Sequence, residues 1–263
     1  MSVLWFVFRG NDLLLRKVDE GYDVPFSENP PCSLLPLEDV HTIHAIGENE
    51  CKVFSVPSDY VPDGEMRFVS LRESYHYLPE EHYRAAGTAY QLLYWEDTSK
   101  YCSACGALME RLPANGKYCP ECKREFWPRI SPAIIVLVKR KEPNEPEKIL
   151  LVRAHNFRGD FHGLVAGFLE VGESLEECVI REVYEETSLK IKNIKYFGSQ
   201  TWPYPSGIMI GFVADYDGGE IVVQESELKS ASWYTIDNLP KIPEKLSIAR
   251  KLIDYWIDSF DVK

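Results

Sequence analysis

Apolar residues run in short bursts along most of this chain and switch to helical spacing in three places. Leu4 to Phe8 and Leu13 to Arg16 flank Gly10-Asn11-Asp12, which predicts a hairpin, and Lys52 to Val56 and Arg67 to Leu71 read as further strands. Pro25 to Pro36 reads as loop. Pro79 to Glu96 sets Tyr83, Ala86, Tyr90 and Leu93 at helical spacing behind a proline suited to a first turn, and the tyrosine stripe reads as core packing. Ala133 to Arg140 and Lys148 to Arg153, separated by a charged, proline-bearing turn, predict a second hairpin. Ile194 to Gln200, Ile208 to Asp215, Ile221 to Val223 and Ser232 to Tyr234 read as strands. Pro243 to Phe260 closes the chain as an amphipathic helix carrying Leu246, Ala249, Leu252, Ile253 and Trp256. The pattern predicts an α+β multi-domain chain. A small α+β domain over residues 1–98, for scaffolding or dimer formation, precedes a separate module at 99–128. Residues 129–263 then form an α/β/α sandwich around a mixed sheet.

The third helical stretch lies at the centre, where Gly167 to Leu189 reads GFLEVGESLEECVIREVYEETSL. Ser174 and Glu177 have capping-box spacing, so a glycine-rich loop from Gly167 to Glu173 feeds a helix from about Leu175 to Leu189. At 3.6 residues per turn, Glu182, Glu185 and Glu186 share an arc of roughly 100°. Like charges at this spacing cost roughly 0.2–0.5 kcal/mol per pair, and only Arg181 is interleaved to relieve them. Oxygen ligands on one face suit Mg²⁺ or Mn²⁺ bound together with substrate phosphates. On helix geometry alone, an acidic solvated face describes the stripe equally well.

Two further features change the picture. Cys102-Ser-Ala-Cys105 and Cys119-Pro-Glu-Cys122, thirteen residues apart, have the spacing of a zinc ribbon. Gly106 suits the tight turn behind the second cysteine, and four thiolates leave no open position, so the zinc is structural. Cys32, Cys51 and Cys178 are left over, an odd number that points to reduced thiols and a cytoplasmic protein. Cys178 reads as a packed helix residue. The Val3 to Phe8 run is too short to span a membrane and wrongly flanked for a signal peptide. With 263 residues, 45% of them hydrophobic, two or three cores are expected, and a net charge of −12 argues against a broad basic nucleic-acid surface. The histidines His155 and His162, with Arg153 and Arg158, stand in a loop and carry no assigned role.

Ser199-Gln200-Thr201-Trp202-Pro203-Tyr204-Pro205-Ser206-Gly207 sets aromatics between prolines, a rigid frame for flat rings or simply a stiff structural loop. The spacing Gly167, five residues, Glu173, seven residues, Arg181-Glu182-Val183-Tyr184-Glu185-Glu186-Thr187-Ser188-Leu189 resembles the Nudix box, G-x5-E-x7-R-E-U-x-E-E-x-G-U. One fixed position departs: Ser188 stands where the family has the glycine of a left-handed helix cap. The proline-stiffened loop resembles the S-Q-P-W-P-F-P-x-S motif of the zinc-containing NADH pyrophosphatase branch of that family. Ribbon, box and loop stand in the branch's order, over roughly residues 70–263.

This resemblance implies hydrolysis of NADH or NAD⁺ to nicotinamide mononucleotide and AMP, removal of NAD caps from RNA by some members, and a homodimer. It implies that Glu182 and Glu186 bind catalytic Mg²⁺ or Mn²⁺, with Glu185 alongside and the carbonyl of Ala166 and the distant Glu227 completing the site. A base is also needed, and Glu185 is our choice among the box glutamates. Arg181 orients these carboxylates. Gln200, Thr201, Trp202, Pro203, Tyr204, Pro205, Ser206 and Gly207 would line the dinucleotide pocket, Trp127 and Phe168 would stack on rings, Ala249 would lie against adenine, and Arg72 would meet phosphate. Thr201 for proline and Gly207 for serine are the departures that bear on substrate choice, with Tyr204 for phenylalanine milder. The competing expectation is a non-catalytic nucleotide-sensing or nucleic-acid-binding regulator carrying a zinc ribbon.

Overall fold

The computed structural model describes residues 2–32, 40–155, 157 and 159–260, so Arg158 and part of the Pro25 to Pro36 loop lie outside the described residues. Contacts divide the chain into two units. One runs to Arg129 and takes in Pro203–Ser206; the other runs from Ile130 to Trp202 and on from Gly207.

The first unit strings together β1 (Val3–Arg9), β2 (Asp12–Val18), β3 (Gly21–Asp23), β4 (Phe26–Ser27), β5 (His41–Ile46), β6 (Asn49–Ser55), β7 (Met66–Ser70) and α1 (Glu80–Thr98). The predicted hairpin is present, β1 and β2 pairing antiparallel across Gly10 at φ +58°. The sheet order is β3-β2-β1-β6-β5, with β4 added to β1 and β7 to β2. Against β6 the central strand β1 runs parallel. Its apolar run is continuous because both of its faces are covered: Leu4, Phe6 and Phe8 enter one core, Val3, Trp5 and Val7 another. α1 begins behind Pro79 and lays Ala85, Ala86, Ala89 and Leu92 on the first of these cores, with Tyr83, Tyr90 and Leu93 packed at its margin. The tyrosine stripe is core packing, as its spacing indicated. The strands β3 and β4 were not legible in the pattern, since two or three residues between turns carry too little periodicity, and β5, though six residues long, keeps only its last residue fully buried.

After α1 come β8 (Glu110–Arg111), β9 (Lys117–Tyr118) and β10 (Glu125–Phe126), a three-stranded sheet ordered β10-β9-β8. Lys117 is buried, its ammonium 2.9 Å from Glu96 of α1.

The second unit comprises β11 (Ser131–Arg140), β12 (Lys148–Ala154), β13 (Val165–Phe168), α2 (Leu175–Thr187), β14 (Lys190–Trp202), β15 (Gly207–Gly218), β16 (Leu228–Tyr234) and α3 (Ile248–Asp258). Its six-stranded sheet is ordered β14-β15-β11-β12-β16, with β13 added to β11, and the β11–β15 pair is parallel, so the sheet is mixed. β11 repeats the logic of β1. Ile134, Val136 and Val138 pack with Val179 and Val183 of α2, while Ile135 and Leu137 pack with Leu252, Ile253 and Trp256 of α3. This is the expected α/β/α sandwich.

Two predicted elements are corrected. Ile221–Val223 is not a strand: Val222 and Gln224 donate their backbone N–H groups to the carbonyls of Thr187 and Glu186, both at 3.0 Å. The segment satisfies orphan carbonyls at the end of α2 instead of joining the sheet. The last helix starts at Ile248 rather than Pro243, because Ser247 accepts the Arg250 N–H as its N-cap. No helix among the described residues is long and apolar enough to cross a membrane.

Candidate active site

α2 starts where its capping box predicted. Ser174 accepts from the Glu177 N–H, and the Glu177 carboxylate accepts from the Ser174 N–H at 2.8 Å. The helix ends at Thr187, two residues before the predicted Leu189, because Ser188 takes the left-handed conformation at φ +59°, ψ +14°. Serine thus performs the turn that the family's glycine makes without strain.

The helix buries two carboxylates. Glu182 is 8% exposed and Glu186 5%. Arg181 organises the first: its guanidinium meets Glu182 at 2.8 Å, Glu185 at 3.0 Å, Glu173 at 2.7 and 2.9 Å, and the Phe168 carbonyl at 3.0 Å. The bidentate pair holds the Glu173 carboxyl down at about 2. Glu173 is thereby the anchor that fixes Arg181, a role the sequence reading left unassigned although the motif marks the position. The Glu182 carboxylate also rests on Gly167, where an added Cβ would stand 1.9 Å from Glu182 Cδ. The glycine leaves room for the acid.

Glu186 has no such partner. Its Oε2 is buried without a hydrogen bond among the described residues, and burial, reinforced by Glu182, Glu227 and Glu185, pushes its carboxyl up to about 8. Glu182 is raised in the same direction by burial, against the pull of Arg181. A desolvated carboxylate oxygen without a donor costs free energy that a cation would recover, and hard oxygens suit Mg²⁺ or Mn²⁺. The residues therefore fit a divalent ion. Glu227 is exposed just before β16, its carbonyl accepting from the His155 N–H at 2.9 Å. Ala166 is exposed on β13, opposite Ile135 of β11. Among the described residues, the acidic groups are not gathered as closely as the ribbon cysteines are.

Those four sulfurs all lie within 4.8 Å of one another, with Cys102–Cys122 at 3.6 Å and Cys105–Cys119 at 3.4 Å. Thiolates about 2.3 Å from a tetrahedral zinc stand about 3.8 Å apart, so this set fits the ion. Backbone N–H groups of Ala104 and Cys122 each lie 3.4 Å from a sulfur, of Cys102 and Cys119 respectively, and lower those thiols. Gly106 makes the first knuckle turn at φ +79°, and Lys123 makes its counterpart at φ +62°.

Comparison with known proteins matches residues 129–256 to the NUDIX domain and residues 2–95 to an NADH pyrophosphatase-like rudimentary NUDIX domain. The NAD-capped RNA hydrolase NudC of Chromobacterium violaceum is 40% identical over 192 residues, covering 73% of this chain and 71% of that one. The chain belongs to the Nudix family. The NAD-capped RNA hydrolase NudC of Pseudomonas fluorescens is 44% identical over 176 residues, which is 66% of this chain but 62% of that relative's length. A crystal structure of a NUDIX hydrolase from Nitrosomonas europaea superposes with a TM-score of 0.50 at 21% identity, over 62% of this chain and 94% of that one, a likeness of fold alone.

The remaining expected substrate contacts divide between the units. Arg72, Trp127 and Pro203–Ser206 belong to the first, and Phe168, Gln200, Thr201, Trp202, Gly207 and Ala249 to the second. Phe168 is 64% exposed, and Trp127, 51% exposed, packs its indole against Gly116. Gln200 donates to the Leu246 carbonyl at 2.9 Å, and its Oε1 is buried without a partner among the described residues. Ala249 is buried on α3 within the Trp256 core. At Gly207 an added Cβ would meet the Trp202 carbonyl at 3.1 Å, so a side chain there would have to push the turn outward. Cys178 is buried with its thiol pushed up to about 12, a packed residue as expected.

Proposed function

We propose that this protein hydrolyses the pyrophosphate bond of NADH and NAD⁺, water entering and nicotinamide mononucleotide and AMP leaving, and that it cleaves the same linkage at the end of NAD-capped RNA. The observation that carries the reading is the buried Glu186 Oε2 with no hydrogen bond among the described residues, one turn from a second buried carboxylate on the helix that follows the glycine loop. The names of the Chromobacterium and Pseudomonas relatives support the substrate class.

In this reading Glu182, Glu186, Glu227 and the Ala166 carbonyl hold Mg²⁺ or Mn²⁺. Held there, such an ion would supply positive charge to the phosphate oxygens and would lower the pKa of a water. Arg181 keeps Glu182 and Glu185 in place through the ion pairs above, and Glu185, exposed and at the edge of that network, takes the proton from the attacking water. Phe168 and Trp127 offer ring faces; Arg72, Gln200 to Gly207 and Ala249 are the further substrate contacts. Zinc at the four cysteines is structural. We further propose a cytoplasmic homodimer, with residues 1–98, 99–128 and 129–263 as its three parts. The intact box carboxylates speak against the non-catalytic alternative.

The test is turnover of NADH, NAD⁺ and ADP-ribose by the purified chain with Mg²⁺ or Mn²⁺, products identified by mass. Glu186→Gln should lower kcat about a thousandfold while the protein stays folded. Near-normal turnover by that variant would remove α2 from the chemistry.

A further inference from the structure

Tyr204, where the family pattern has phenylalanine, carries a hydroxyl 2.7 Å from that of Tyr83 on α1. Both tyrosines are partly buried against the first core. The Arg72 guanidinium lies over the Tyr204 ring, 4.8 Å from its centroid, and Tyr75 meets Tyr83 edge to face at 5.6 Å. One turn along α1 from Tyr83 stands Gly87, where an added Cβ would be 3.0 Å from Pro203 Cγ. Glycine in mid-helix costs about 1 kcal/mol relative to alanine, and here it makes room for that proline. Pro203–Ser206 is thus seated on α1 at two adjacent points: a close steric fit at Gly87 and a hydroxyl pair at Tyr83.

We propose that Tyr83 is a positioning residue for dinucleotide binding: its hydroxyl fixes Tyr204 beneath Arg72 and so sets the shape of the Pro203–Ser206 turn that receives the substrate. This rests on the reading of that turn as a substrate contact. The substitution that looked mildest in the sequence becomes the one with a built partner. A phenylalanine at 204 would leave the Tyr83 hydroxyl with no tyrosine oxygen to meet. Removing one member of a partly buried polar pair costs more than removing both, because the survivor stays desolvated.

That asymmetry supplies the test, made on the full chain as Tyr83→Phe, Tyr204→Phe and the double variant. Tyr83→Phe should raise the KM for NADH about fivefold with kcat within twofold of wild type, the effect of one modest hydrogen bond. The double variant should have a lower KM than Tyr83→Phe alone. The Kd for NADH in EDTA, followed by tryptophan fluorescence, should show the same order. This arm needs no turnover, so it stands apart from the proposed activity, which the Glu186→Gln experiment tests. An unchanged KM and Kd in Tyr83→Phe would overturn the proposal. So would single-variant effects that multiply in the double, a change confined to the melting temperature, or no NADH binding by the wild type.

Discussion

Both units set a helix against a mixed sheet whose central strand is apolar on both faces, yet the two helices treat charge in opposite ways. α1 buries alanines, and its half-buried Glu96 and His82 find partners within the unit. Glu96 is met by Lys117 at 2.9 Å, Arg111 at 3.4 Å and His41 at 3.9 Å; His82 is met by Asp23 at 2.6 Å. α2 buries Glu182 and Glu186 on the strength of one arginine that reaches only the first. The first unit pairs the carboxylate that α1 half buries, whereas α2 keeps a buried carboxylate oxygen without a hydrogen bond among the described residues.

The sharpest way to break this contrast is to put a carboxylate where α1 has none. Ala86→Glu, at a position with no exposure, should destabilise the first unit by roughly 3–5 kcal/mol, read as a lower urea midpoint. An unchanged midpoint would mean that the α1 seam tolerates charge as α2 does. Next in size is Gly167→Ala, which drives the Glu182 carboxylate off its seat. Turnover should fall about a hundredfold, or ~2.7 kcal/mol, with little change in unfolding because a flexible side chain can move aside.

Smaller still are the helix ends. Ser188→Gly relieves a left-handed serine and should raise stability by about 1 kcal/mol, whereas Ser99→Gly at the end of α1, where φ is −122°, should bring no gain. Paired melting curves would decide it. The smallest effect is the pH dependence that His82 contributes to the first unit. The hydrogen bond that His82 donates to the Asp23 carboxylate, opposed by burial and reinforced by the charges of Asp23 and Glu81, raises His82 above its ordinary 6.5. The stability this gives is complete below pH 6.5 and is lost as pH rises through the folded-state value. Asp23→Asn should flatten that slope in unfolding curves taken from pH 6 to 9.

How far the sequence went depended on whether a feature was local. The start of the box helix with its Ser174–Glu177 cap, the Gly10 hairpin and the four-cysteine cluster each depend on residues close in the chain, and each stands as the spacing predicted. Ile221–Val223 has strand-like residues but ends as a strap on the α2 carbonyls, because those carbonyls are acceptors supplied by a different element. Tyr83 was legible only as one member of a helical stripe; nothing in that spacing shows a hydroxyl meeting Tyr204, which is 121 residues away.

The sequence by itself determined which groups this protein carries and their order along the backbone: carboxylates on a capped helix, thiols in pairs, aromatics between prolines. Tertiary structure alone decided which of these are deprived of water. Arg181 satisfies Glu182 and leaves Glu186 without a partner among the described residues because one guanidinium has limited reach, and burial of a side chain is set by what packs over it.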